Sequence, residues 1–222
     1  MLALAATLTC CHRSVPPDAA ASCDARITTW LLAGPFPLDT GVMRLDGSNI
    51  GDPAVLFATA GDLVPGTHAM RWRAESSDSM GRIDLYSVFR EPKLDDRAAY
   101  ALTYLESPEA RTVRLAVESD DDVVIWLNGR RVQRREVARE LRSGGDTIGL
   151  ALAAGSNRLL YRVVNRGGGF GLGARLLSIS RDPVGDLRSD VSATARDAAR
   201  RVSAGDTALA PEIGRASCRE RV

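Results

Sequence analysis

The chain has 222 residues, 45% of them hydrophobic and 26% charged, with 29 Lys and Arg against 28 Asp and Glu for a formal net charge of +1. That is enough chain for one sandwich-sized domain with appendages and an ordinary apolar core. Charges of both signs are interspersed, and with no basic stripe to follow a phosphate backbone, nucleic acid is excluded as an expected partner.

In chain order, the first segment reads as a leader. Leu2 to Leu8 is a short apolar run before Thr9-Cys10-Cys11, and Val15-Pro16-Pro17 opens an Ala-rich spacer, so residues 1–25 are set aside as signal and linker. This stretch resembles the end of a bacterial lipoprotein signal. The resemblance implies an exported protein of the cell envelope, lipidated at Cys10 or Cys11 and touching the membrane only through that anchor. Cys23 stands apart from these, so the cysteines suggest neither a disulfide framework nor metal-ligand spacing.

Arg26 to Ala33 is rich in strand formers and is predicted to end at Gly34-Pro35-Phe36-Pro37. The next thirty residues are punctuated by Gly, Pro and Asp and read as a long loop, a candidate rim for a binding face. Strands are predicted over Thr67–Ala74, Gly81–Phe89 and Arg97–Leu105. In Thr112–Glu118, Val113, Leu115 and Val117 face inward. Val123 to Leu127 is an apolar run bounded by turn formers, which predicts a strand covered on both faces. Asn128-Gly129 then predicts a two-residue hairpin into Arg130–Gln133, because both central residues of such a turn need positive φ. Glu136–Arg142 reads as a helical turn or a polar connection. Asp146–Leu152, Arg158–Asn165 and Ala174–Ile179 read as strands, the last two separated by a glycine-rich loop over 167–173. Short strands with turn signals and no intervening helices predict an all-β antiparallel sandwich or barrel.

From residue 182 to 211 the pattern changes. Leu187, Val191, Ala195, Ala198 and Val202 recur near helical spacing and Gly205 can end the run, which predicts one helix connecting the module over 26–181 to a further C-terminal domain of the same parent chain. Residues 212–222 resemble the translation of a sequencing adapter and are expected to be a non-native tail. Without them the charged residues number 26 basic and 26 acidic.

Several motifs together resemble the jelly-roll sandwich modules of the galactose-binding-like class found in secreted bacterial proteins. They are Trp30-Leu31-Leu32-Ala33-Gly34-Pro35-Phe36, Ser119-Asp120-Asp121-Asp122 leading into Val124-Ile125-Trp126-Leu127-Asn128-Gly129, Ala154-Gly155-Ser156-Asn157, and Phe170-Gly171-Leu172. The acidic turn is similar to the Asp-Asp motif of the protective-antigen-type sandwich, in which two aspartates of some members hold a calcium that grips sugar hydroxyls. That likeness implies Asp120 and Asp121 as calcium and sugar ligands, with Asp122 standing where a glycine is usual. Chemically the donors suit a hard cation, but adjacent aspartates are also good turn formers at a strand entry.

Asn128, Tyr86 and Tyr104 complete the candidate ligand set, the tyrosines as exposed strand aromatics able to stack on a sugar ring. Trp126 reads as core. His68 is the single histidine outside the leader, and no nucleophile elbow or ligand-spaced cluster is present, so catalysis is not expected. Gly169 to Ala174 matches a dinucleotide fingerprint literally, but a strand rather than a helix follows it, which rules that reading out. The resulting expectation is a non-catalytic accessory module that binds carbohydrate or positions another domain. Two alternatives stay open: an N-terminal fragment of a hydrolase or transglutaminase-like enzyme, and a purely structural protein-interaction domain.

Overall fold

The computed structural model describes residues 23–38, 45, 47–142, 145–179 and 183–205. Cys10, Cys11, most of the leader and the 212–222 tail lie outside these residues. The strands are β1 (Asp24–Arg26), β2 (Thr29–Pro37), β3 (Arg73–Ser76), β4 (Arg82–Asp84), β5 (Arg97–Ser107), β6 (Arg111–Asp120), β7 (Asp122–Leu127), β8 (Arg130–Arg135), β9 (Asp146–Leu152), β10 (Gly155–Asn165), β11 (Gly171–Leu177) and β12 (Arg188–Asp190). Among the described residues two helices join them, α1 (Leu85–Phe89) and α2 (Ala193–Ser203).

All pairings are antiparallel and form two sheets. One runs β1-β11-β6-β9 with β4 also on β11, the other β3-β2-β5-β10-β7-β8 with β12 also on β5. From β5 to β11 the chain changes sheets at every step except the β7–β8 hairpin, which is jelly-roll connectivity. The expected all-β sandwich is therefore the fold, and among the described residues no helix is long and apolar enough to cross a membrane.

The inner core lies between the sheets. Val113, Leu115 and Val117 of β6 meet Val123, Ile125 and Leu127 of β7 and Leu159, Tyr161 and Val163 of β10. Trp30 packs edge-on against Tyr161 with ring centroids 5.3 Å apart. A second core lies outside the seven-stranded sheet, where Tyr100, Leu102, Tyr104 and Leu160 are covered by Ile50, Leu56, Ala58, Val64 and Trp72 and by Ala195 and Ala199 of α2. Strands β5 and β10 thus bury both faces, which is why their apolar positions fail to alternate with polar ones.

Five expectations are corrected. The long loop is not an open rim: residues 47–72 cover the outer sheet face, because that sheet presents more apolar surface than one core can use. The strand expected over 67–74 shortens to β3, with Trp72 buried in the cover. The strand expected over 81–89 breaks after β4, where the Asp84 carboxylate accepts from the Tyr86 and Ser87 amides and caps α1. The C-terminal helix expected over 182–211 is present but shorter, and it is preceded by a strand within the described residues 183–205. β12 pairs with β5 first, and Ser192 then caps α2 by accepting from the Ala195 amide, so the segment is built into the sandwich through residue 203. Strand β2 also continues through Gly34-Pro35, a register shift between Ala33 and Phe36 absorbing the proline.

The hairpin forms as read. Asn128 has φ +49° and Gly129 +85°, so both central residues are left-handed. A Cβ at Gly129 would also collide with the Ala54 carbonyl of the cover.

Candidate functional site

The loops at the β6–β7 end of the sandwich converge on the acidic turn. Asp120 ends β6 and Asp122 begins β7, with a cis peptide between Asp120 and Asp121. All three aspartates are buried. Their partners come from the β8–β9 connection, where alternate amides reach successive carboxylates: Val137 N–H donates to Asp122 Oδ1 at 2.7 Å, Arg139 N–H to Asp121 Oδ1 at 2.8 Å, and Leu141 N–H to Asp120 Oδ2 at 3.3 Å. Only an extended segment presents every second amide to one side, so of the two readings for 136–142 the polar connection is the one observed.

Arg166, just past β10, completes the shell. Its amide donates to Asp121 Oδ2 at 2.8 Å, and its guanidinium forks onto Asp122 through Nε at 3.0 Å and Nη2 at 2.9 Å. That bonding to Asp122 holds the Arg166 guanidinium above its usual range. Burial, followed by the Asp121 and Glu140 carboxylates, pushes the Asp120 carboxyl up, against the Leu141 amide. A Cβ at Gly169 would collide with the Asp120 carboxylate, which explains one glycine of the 167–173 loop.

The calcium expectation for Asp120 and Asp121 does not fit this donor set. A calcium ion needs six to eight oxygens whose lone pairs converge on it, whereas N–H groups already point at both oxygens of Asp121 and both of Asp122. Among the described residues, no group of three or more His, Cys, Asp or Glu could hold a metal ion.

Beside the turn opens a shallow cleft of about 340 Å³, lined by Glu118, Ser119, Arg139, Glu140 and Arg142 among others. At its floor Glu118 is ion-paired with Arg82 at 2.6 Å. Arg139 is fastened by Ser119 and by Asp146, with Nε to the Ser119 carbonyl at 3.1 Å and Nη2 to its hydroxyl at 2.7 Å. At the mouth, Arg142 and Glu140 pair at 3.1 Å with side chains 75% and 78% exposed. Such a surface pair contributes little to stability and can re-pair with a ligand.

The remaining candidates are dispersed. Asn128 sits at the far end of β7, six residues or about 20 Å from the acidic turn. Its amide is used internally, Nδ2 donating to Asn157 and Oδ1 accepting from the Arg158 amide. Tyr86 is the second residue of α1, two past Asp84, which is in register with Gly171 and, through it, Asp120, so it lies at the acidic end, half-buried against the inner core. Tyr104 is not exposed. It is fully buried under the cover, its hydroxyl donating to the Ala58 carbonyl at 2.7 Å and accepting from the Ala58 amide at 3.1 Å. Strand parity placed it on the outer face, but the cover occupies that face. Trp126 is half-buried, packed against the outer clusters.

Burial pushes the Tyr104 hydroxyl up to about 12 and moves Tyr161 in the same direction. A folded pKa above the unfolded value of about 10 gives stability that is complete below pH 10 and lost as pH rises toward 12. Arg158, lowered by burial, opposes this in the same range, and the two phenols outweigh it. Thermal midpoints measured upward from neutral pH are expected to fall above about pH 10, and Tyr104→Phe to recover about 2–3 kcal/mol of that loss at the alkaline end. Identical alkaline profiles for the two proteins would contradict the assignment.

Glu118, Arg139, Arg142 and Arg166 belong to the site but carry no sequence motif. Arg166 is 44 residues from Asp122, and the amides of 137, 139 and 141 act through backbone that any residue supplies.

No protein-family model matches the chain, and no curated protein matches it. Solved structures that match part of this chain include the PA14 domain of the antifreeze protein MpAFP, 17% identical with a TM-score of 0.33, covering 42% of this chain and 52% of that one. A β-glucosidase from Kluyveromyces marxianus is 12% identical with a TM-score of 0.41, covering 77% of this chain and 20% of that one. A family 35 carbohydrate binding module from Clostridium thermocellum is 14% identical with a TM-score of 0.27, covering 37% of this chain and 72% of that one. The chain thus spans about half the length of the first and a fifth of the second.

Proposed function

We propose that this chain is a non-catalytic accessory module of an exported protein that binds carbohydrate in the cleft beside the acidic turn. One observation carries the reading: an open polar cleft of about 340 Å³ whose mouth is formed by the exposed Arg142–Glu140 pair over a fixed floor of Arg139, Ser119 and Glu118. Neighbouring donors and acceptors of this kind match the vicinal hydroxyls of a sugar, each able to donate and accept. The fixed floor gives pre-organisation, and the loose mouth gives up little on re-pairing. The outer face of the seven-stranded sheet is covered by residues 47–72 and α2 and offers no open surface there.

A glycan array probed with the whole chain, followed by calorimetric titration of the best hit, tests this. Binding is expected, and Arg142→Ala combined with Glu140→Ala is expected to weaken it about tenfold, or 1.4 kcal/mol, with the thermal midpoint unchanged. An array without hits, or affinity indifferent to that double substitution, refutes the reading.

A further inference from the structure

Three successive carboxylates at a loop end are the donor type a divalent cation recruits, yet here the polypeptide supplies their counter-groups. The amides of Val137, Arg139 and Leu141 each serve one aspartate, and Arg166 adds its own amide to Asp121 and a two-pronged guanidinium contact to Asp122. Five of the six carboxylate oxygens therefore accept from N–H groups. Hydrogens directed at those oxygens compete with a cation for their lone pairs, and the guanidinium supplies positive charge at the turn, which repels one. Asp122, the residue that departs from the usual glycine, is the one Arg166 grips, with its side chain fully buried.

We infer that Asp120–Asp122 is a metal-independent clamp, in which Arg166 and the 136–142 amides do the work a calcium ion would otherwise do, holding in place the segment that walls the cleft. The two sides of the clamp explain each other: an extended segment with alternate amides free needs acceptors, and clustered buried carboxylates need donors. The inference is independent of whether a glycan binds.

Calorimetric titration of the whole chain with calcium chloride is expected to give no binding heat. Amide hydrogen exchange at Val137, Arg139 and Leu141 is expected to be slow and unchanged by chelator or by millimolar calcium. Arg166→Gln is expected to speed exchange at Val137 and Arg139 about tenfold or more while the inner-core strands stay protected. Saturable calcium heat that disappears in Asp121→Asn overturns the inference, as does amide protection that requires calcium, or protection left at the wild-type level in Arg166→Gln. Should Arg166→Gln fail to fold, exchange of the unmodified protein with and without chelator decides the matter alone. Loss of glycan binding with these amides still protected counts against the cleft reading and not against the clamp.

Discussion

Arg166→Ala is expected to cost the fold about 3 kcal/mol, the lower end of the range for stranding one partner of a buried ion pair. Asp122 has a fully buried side chain, while that of Arg166 is 40% exposed. The two halves of the pair are therefore unequal. Removing the arginine leaves a buried carboxylate with the Val137 amide as its remaining donor among the contacts described. Removing the charge at Asp122 frees a guanidinium that can turn to water, so Asp122→Asn, which keeps an acceptor for Val137, is expected to cost about 1 kcal/mol. For a domain of this size the larger loss corresponds to a drop in midpoint of roughly 6–12 °C. Scanning calorimetry of both variants decides it, since equal losses would mean that the pair is not asymmetric.

The second large effect is expected at Arg158, at the opposite end of β10. Its guanidinium is fully buried and donates to the Leu56 and Ala54 carbonyls of the cover. It also lies 4.2 Å from the Phe57 ring centroid, with Arg200 of α2 5.4 Å from the same ring. One side chain thus fastens the cover to the sheet by two charge-assisted hydrogen bonds and a cation–π contact. Arg158→Ala is expected to cost about 3 kcal/mol, because two cover carbonyls lose their donor and a cavity opens in the sheet face. Its distinguishing mark is local: residues 47–72 become cleavable by a nonspecific protease at temperatures where the strands still resist. A cover as resistant as in the unmodified protein would show that Leu56, Val64 and Trp72 hold it unaided. Detachment would also expose Tyr104, whose hydroxyl bonds to Ala58 of the cover.

Much of the sandwich was legible in the chain. Val113, Leu115 and Val117 take every second position of β6 because one face of that strand lies on the inner core, and Asn128-Gly129 marks a turn whose backbone few other pairs tolerate. The apolar run Val123–Leu127 announced a strand covered on both faces, and it is one. Tyr100, Leu102 and Tyr104 alternate along β5 and so share one face, yet parity says only which side of a sheet a residue takes. What lies on that side is decided by contacts with residues some fifty positions away, such as Asn49 and Ala58.

The acidic turn divides in the same way. From its sequence alone came its place, between two strands at a loop end, and its chemistry as a dense group of carboxylates. Only the tertiary structure decided what those carboxylates hold, because their partners are backbone amides, which no residue type advertises, and an arginine from a separate strand end. Local sequence governs dihedral preference and face; the pairing of buried charge depends on which distant groups the fold brings within 3 Å, and at Asp122 that group is Arg166.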